Sequence, residues 1–231
     1  LIRRFIGPVL LLAAIVIGDQ IRINRPDHKF RLTIEADTPQ GLQRASGIIS
    51  VHPDRGYGRG GRTEAKGDAI ALDLGGGALL AILLAHRTET GKVDLDDINY
   101  VAVRAFGKAG QRAVFRQMDR LRGSVPVTDS YVPIVAAFTD RNDPSTMKVI
   151  DFSNPGPALG PSVSIKSLSV EIVPNGWWPL DFGGASGEPV TRDITAKLPW
   201  LKQVDGAARA VQASGLALPA EINPKALFTR D

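Results

Sequence analysis

The chain has 231 residues, 43% hydrophobic and 23% charged, which suits one folded domain with attachments and excludes both a disordered chain and a polytopic membrane protein. It has no Cys and three His (His28, His52, His86), which excludes disulfides, thiol chemistry and acylation at Cys; no metal or other cofactor is expected. The formal charge of +4 is uneven: residues 1–126 hold 19 basic and 13 acidic side chains (net +6) and residues 127–231 hold 9 and 11 (net −2), so an anionic partner belongs with the N-terminal half.

Leu1-Ile2-Arg3-Arg4 precedes FIGPVLLLAAIVIG, residues 5–18, and no charge follows until Asp19. Two Arg ahead of an apolar run is the layout of a targeting signal. As a helix the run reaches about 21 Å, against roughly 30 Å of hydrocarbon. One reading is a signal peptide cut near Gly18-Asp19. The other is a retained anchor, lengthened by Ile21 and Ile23, with Arg22 and Arg25 reaching the interface. The lack of an A-x-A site favours retention.

Lys29 to Ala36 alternates Phe30, Leu32 and Ile34 against Arg31, Thr33 and Glu35, a half-buried strand. Thr38-Pro-Gln-Gly41 is a turn, and Ala45 to His52 completes a hairpin. Asp68–Leu74 and Ala78–Ala85 form a second strand pair around Gly75-Gly76-Gly77, the second arm apolar on both faces like an interior strand. Asp94 is placed to cap a helix with Asp96 and Asp97 in its first turn, and Val114, Phe115, Met118 and Leu121 recur at helical spacing opposite Arg112, Arg116 and Arg120. Tyr131–Thr139 returns to strand with Pro133 near its start, and Lys148–Ile150 is a short strand. Ser162–Val173 is a strand whose apolar phase slips, which a bulge near Lys166-Ser167 reconciles. Thr191–Val204 has helical spacing broken at Pro199, and residues 205–231 read as a loosely ordered tail. The fold class is therefore α+β, a mostly antiparallel sheet of about seven strands with two or three helices, preceded by a membrane helix.

Ser145-Thr-Met-Lys148 matches the S-x-x-K of acyl-transfer enzymes, where Lys one helical turn after Ser takes the hydroxyl proton. Asp143-Pro144 before it and a strand after it make it a turn, and S-D-N and K-T-G are absent. Gly75–Gly77 lacks the Lys and helix of a phosphate loop. Asp94, Asp96 and Asp97 suit helix capping better than Ca²⁺. The binding candidates are the arginine–glycine run with Arg55, Arg59 and Arg62, the basic face Arg112, Arg116 and Arg120, and the aromatics Trp177, Trp178 and Trp200. Arg pairs with phosphates, and Trp closes a core or faces a partner or membrane interface.

The apolar start, the hairpin Arg31-Leu-Thr-Ile-Glu-Ala-Asp-Thr-Pro-Gln-Gly41, the strand end Ala71-Leu-Asp-Leu-Gly75 and the late Lys197-Leu-Pro-Trp-Leu201 resemble an uncharacterised family of proteobacterial membrane-anchored proteins, over most of residues 29–201. The resemblance implies location and architecture and carries no catalytic residues. The combined expectation is a single-pass inner-membrane protein: residues 1–23 the anchor or signal, residues 24–204 one periplasmic domain, residues 205–231 the tail. It acts as a binding or accessory module, its partners being the membrane through residues 5–18 and a protein or anionic lipid, with nucleic acid disfavoured. The competing class is an envelope hydrolase built on an unrecognised Ser or Asp site.

Overall fold

The computed structural model describes residues 2–53, 62–160, 162–176 and 187–231; for residues 2–6, 23, 24, 116, 156 and 157 the description is of the backbone. The chain begins with helix α1 (Ile2–Asn24) and passes through residues 25–27 into the hairpin β1 (His28–Thr38) and β2 (Gly41–His52). Gly41 takes φ 102°, which a side chain disfavours, and the Thr38 hydroxyl donates across the turn to its carbonyl. Strand β3 (Glu64–Asp68) is separated from β4 (Ile70–Gly75) by Ala69 alone, and β4 turns through three left-handed glycines into β5 (Ala78–Ile82). The short pair β6 (His86–Arg87) and β7 (Val93–Asp94) leads to a 3-10 turn (Asp97–Tyr100) and helix α2 (Val101–Lys108). Then follow β8 (Ser124–Pro126), β9 (Val135–Phe138), β10 (Met147–Ile150), the single turn α3 (Gly156–Leu159) and β11 (Ser164–Val173). The C-terminal part holds α4 (Ile194–Lys197), α5 (Gly206–Ser214) and β12 (Thr229–Arg230).

The strands form a six-stranded antiparallel sheet ordered β12-β3-β2-β1-β11-β8 and a four-stranded one ordered β10-β9-β5-β4. Residues of alternating parity explain how they stack. Phe30, Leu32 and Ile34 of the large sheet share one core with Leu72, Leu80, Ile82 and Val135 of the small sheet, closed at one side by Val101, Ala105 and Phe106 of α2. The intervening residues Ala71, Leu79, Ala81, Ala136 and Phe138 face a second core with Trp200, Leu201, Ala210, Leu227 and Phe228. The small sheet is thus buried on both faces, which is why Ala78–Ala85 shows no polar alternation.

The α+β class holds, with twelve strands among the described residues where about seven were predicted. Four of the extra strands are two or three residues long, too short to carry a period-2 signal, and the fifth, β3, is the five-residue Glu64-Ala-Lys-Gly-Asp68, which has a single apolar side chain. The predicted bulge is present: Glu35 pairs with Ser167 and Ala36 with Ile165, so Lys166 is the extra residue. Pro199 divides its helical region into α4 and a 3-10 turn (Pro199–Lys202). Two helices are corrected. Asp94 belongs to β7 and accepts from the Asp96 amide at 2.7 Å, so the helical path begins later, and residues 115–120 are a 3-10 turn rather than an α-helix.

The tail is the larger correction. Residues 206–214 form α5, Leu227 and Phe228 are fully buried, and Thr229 and Arg230 pair with Asp68 and Gly67 of β3. Asp68, 3% exposed where the chain passes between the sheets, accepts from the Ile194 amide at 3.0 Å and the Thr229 hydroxyl at 2.7 Å, tying β3 to both C-terminal segments.

Candidate functional site

Every described residue from 7 to 18 of α1 is exposed, and Val9, Leu10, Leu11, Leu12, Ile15, Val16 and Ile17 are each 53–64% accessible. Exposure on all faces means that no single stripe packs on the body. Among the described residues, no helix is long and apolar enough to cross a membrane. The connection to the sheet is tight: the Arg25 amide continues the helix to the Ile21 carbonyl, Pro26 is buried, and the Asp27 amide donates to the Val51 carbonyl at 2.8 Å.

Antiparallel register gathers several chain ends at this side of the large sheet. His28 lies opposite Val51, Lys29 opposite Val173, His52 opposite Glu64, and Glu171 opposite Ser124. The 3-10 turn 115–120 joins them there, the Phe115 ring standing 5.7 Å from that of His28.

The predicted binding residues separate under this geometry. Arg55, Arg59, Trp177 and Trp178 lie outside the described residues, as does the Arg116 side chain. Arg112 and Arg120 are exposed on the segment around the 3-10 turn. Arg62 is exposed and stands 3.8 Å from Asp96. Trp200 is corrected as a surface candidate: it is 1% exposed, packed at 5.7 Å against Phe138 and 5.3 Å against Phe228, and its indole N–H donates to the Arg141 carbonyl. It is a core residue because the small sheet needs a second covering layer. Ser145 lies in a 3-10 turn (Pro144–Thr146) with its hydroxyl donating to Asp143 at 2.7 Å, while Lys148 is carried away on β10, so the S-x-x-K spacing does not form a helical Ser–Lys pair.

A residue without a sequence signal emerges instead. Arg230 lines a cavity of about 440 Å³ together with Arg62, Thr63, Glu64, Asp96 and Asp231. Its Nε donates to the Ala226 carbonyl, and its Nη2 to the Leu84 and Leu95 carbonyls at 2.6 and 2.7 Å. Among the described residues, Nη1 has no partner and no carboxylate is close enough to pair with the guanidinium. Burial holds Arg230 below the ordinary arginine value, opposed by the more distant charges of Asp96, Glu64 and Asp94. A lone Arg in an apparently loose tail offered no periodicity or spacing from which this position could be read.

A second polar cluster is structural in type. Arg104 pairs with Asp97 at 2.7 Å and stands between the rings of Tyr100 and Tyr131, and Lys108 pairs with Asp129. Each cation already has its acid, so the cluster clamps residues 128–131 onto α2.

No family profile, no curated protein and no solved structure matches this chain.

Proposed function

We propose that this protein is a membrane-tethered binding or accessory module: α1 anchors it in a lipid bilayer, and the α+β body is displayed at the bilayer surface on the non-cytoplasmic side. The apolar surface of α1 carries the reading. Seven large aliphatic side chains in water forgo on the order of 10 kcal/mol of burial, which a bilayer supplies. Within the 23-residue helix the uncharged run 5–18 covers about 21 Å of a hydrocarbon core of roughly 30 Å, so the anchor reading calls on Ile21 and Ile23 to extend the apolar length and on Arg22 to reach the interface. Arg3 and Arg4, in the first turn of α1 and ahead of its apolar run, favour retention of the N-terminus in the cytoplasm.

The junction suits display close to the surface. Three residues separate α1 from β1, and two of them are tied down by backbone hydrogen bonds, which limits swing of the body. The partner on this reading is an envelope protein or anionic headgroups meeting the α1 side of the large sheet.

Membrane fractionation tests the anchor. The full chain should pellet with membranes and resist carbonate extraction at high pH. Leu11→Arg combined with Ile15→Arg should release it, since each charge at mid-bilayer costs about 2.5–3.5 kcal/mol. A full chain found in the soluble fraction overturns the proposal, as does a topology reporter after Arg31 that reads cytoplasmic.

A further inference from the structure

Arg230 is half-buried, and withdrawing a guanidinium from water is costly to the extent that its charge and its donors are not met. At Arg230 three backbone carbonyls fix the plane of the group and satisfy Nε and Nη2, yet they bring no opposite charge, and Nη1 keeps two N–H donors. A cation held rigidly in a cavity wall with donors to spare is preorganised for a carboxylate or phosphate oxygen. The same wall carries Arg62, Glu64, Asp96 and Asp231. Arg62 stands 3.8 Å from Asp96 and Arg192 3.4 Å from Asp231, so two of the three carboxylates are partly offset, while exposed Glu64 has no ion pair among the described residues. A simple oxyanion entering the cavity meets repulsion from these carboxylates, and a simple cation meets repulsion from Arg230. A molecule that carries both charges meets neither.

We propose that the cavity binds a small zwitterion, with its carboxylate or phosphate on Arg230 and its ammonium group on Glu64, supported by Asp96 beside it. The volume of about 440 Å³ lies within the roughly 300–1,000 Å³ usual for small-molecule sites. Two sources present this chemistry, a free amino acid and an ethanolamine phosphate headgroup. The site does not depend on the anchor: a chain that proves soluble keeps the same cavity and takes the same test.

Calorimetric titration of the full chain in non-ionic detergent, with glycine, O-phosphoethanolamine, inorganic phosphate and ethanolamine as separate probes, decides it. One or both zwitterions should bind saturably and about tenfold or more tighter than phosphate or ethanolamine alone, because each of those satisfies one half of the site. Preference for glycine assigns the amino acid as the source, and preference for O-phosphoethanolamine assigns the headgroup. The double variant Glu64→Gln, Asp96→Asn should weaken zwitterion binding about tenfold or more while leaving phosphate binding unchanged or tighter. It is the decisive variant because Glu64 is exposed and Asp96 provides no side-chain cap to the turn it precedes, so the fold survives, whereas Arg230→Gln also cuts three structural hydrogen bonds. The proposal fails if neither zwitterion binds saturably, if phosphate or ethanolamine alone binds as tightly, or if the double variant binds zwitterion as the parent does.

Discussion

Gly206 shows how a single residue links the C-terminal segment to the core. A Cβ at this position would lie 2.0 Å from the Trp200 carbonyl oxygen and 2.8 Å from its carbon, both backbone atoms, so the chain itself would have to move. The need for Gly arises because α5 starts directly against the 3-10 turn that delivers Trp200 to the second core. Gly206→Ala should therefore destabilise the protein by roughly 1–3 kcal/mol, an overpacking cost rather than a helix-propensity effect, which would favour Ala. Chemical denaturation checks the sign, and a stabilised variant would show that α5 docks less tightly than this geometry requires. Asp129 is the complementary case: at φ 56° it is the one non-glycine residue in the left-handed region among those described, held there by Lys108 and the Thr128 hydroxyl.

At the scale of elements, α2 and the 128–131 segment make a clamp whose response to pH is set by His86. His86 is 2% exposed, and its Nε2 lies 2.9 Å from the Tyr131 carbonyl, an arrangement that makes this nitrogen the donor. Burial holds its pKa below the ordinary histidine value, partly offset by the Tyr131 carbonyl and by Asp97. The unfolded chain then takes up the proton first as the pH falls through about 6.5, so the stabilising contribution is complete above that value and declines below it. Asp97, held below the usual carboxylate range by the Arg104 hydrogen bond, loses its contribution only in more acidic solution, below about pH 4, so the two windows separate. Urea midpoints should fall between pH 7.5 and 5.5 in the parent and change less in His86→Gln, which retains an amide donor for the Tyr131 carbonyl. Equal slopes in the two proteins would place the titrating group elsewhere.

At the scale of the whole molecule, the small sheet is a shared wall between two cores, and each core depends on a different part of the chain. One is built from the hairpin β1–β2, β11 and α2; the other needs residues 194–228. Removing residues 206–231 would strip α5, Leu227, Phe228 and β12 from that second core and leave β3 as an uncovered edge paired with β2 alone, while also freeing Asp68 from the Thr229 hydroxyl. The truncated chain should lose its cooperative unfolding transition and expose apolar surface to dye binding. Retention of a parent-like melting transition would mean that residues 206–231 are dispensable, as their sequence alone suggests. The body and α1 differ in this respect, since the residues 7–18 that α1 exposes contribute nothing to either core.

Local pattern determined a good deal on its own. The strict alternation of Phe30, Leu32 and Ile34, the turn at Thr38–Gly41, the three glycines at 75–77 and the phase slip around Lys166 are each governed by neighbours within a few residues, so the hairpins and the bulge were legible. The exposed apolar face of α1 was legible for the same reason: a run of aliphatic residues needs no tertiary context to be recognised. Tertiary structure alone decided the fate of Trp200, the ordering of residues 205–231 and the isolation of Arg230. Those outcomes depend on which surface a distant segment covers. Ala-rich α5 has little apolar signal of its own, yet the small side chains of the middle sheet leave room for it, and Arg230 becomes a half-buried cation because β12 adds to β3 across more than 160 residues of chain. Burial of a charge is a property of that assembly, and the binding chemistry proposed for the cavity follows from it.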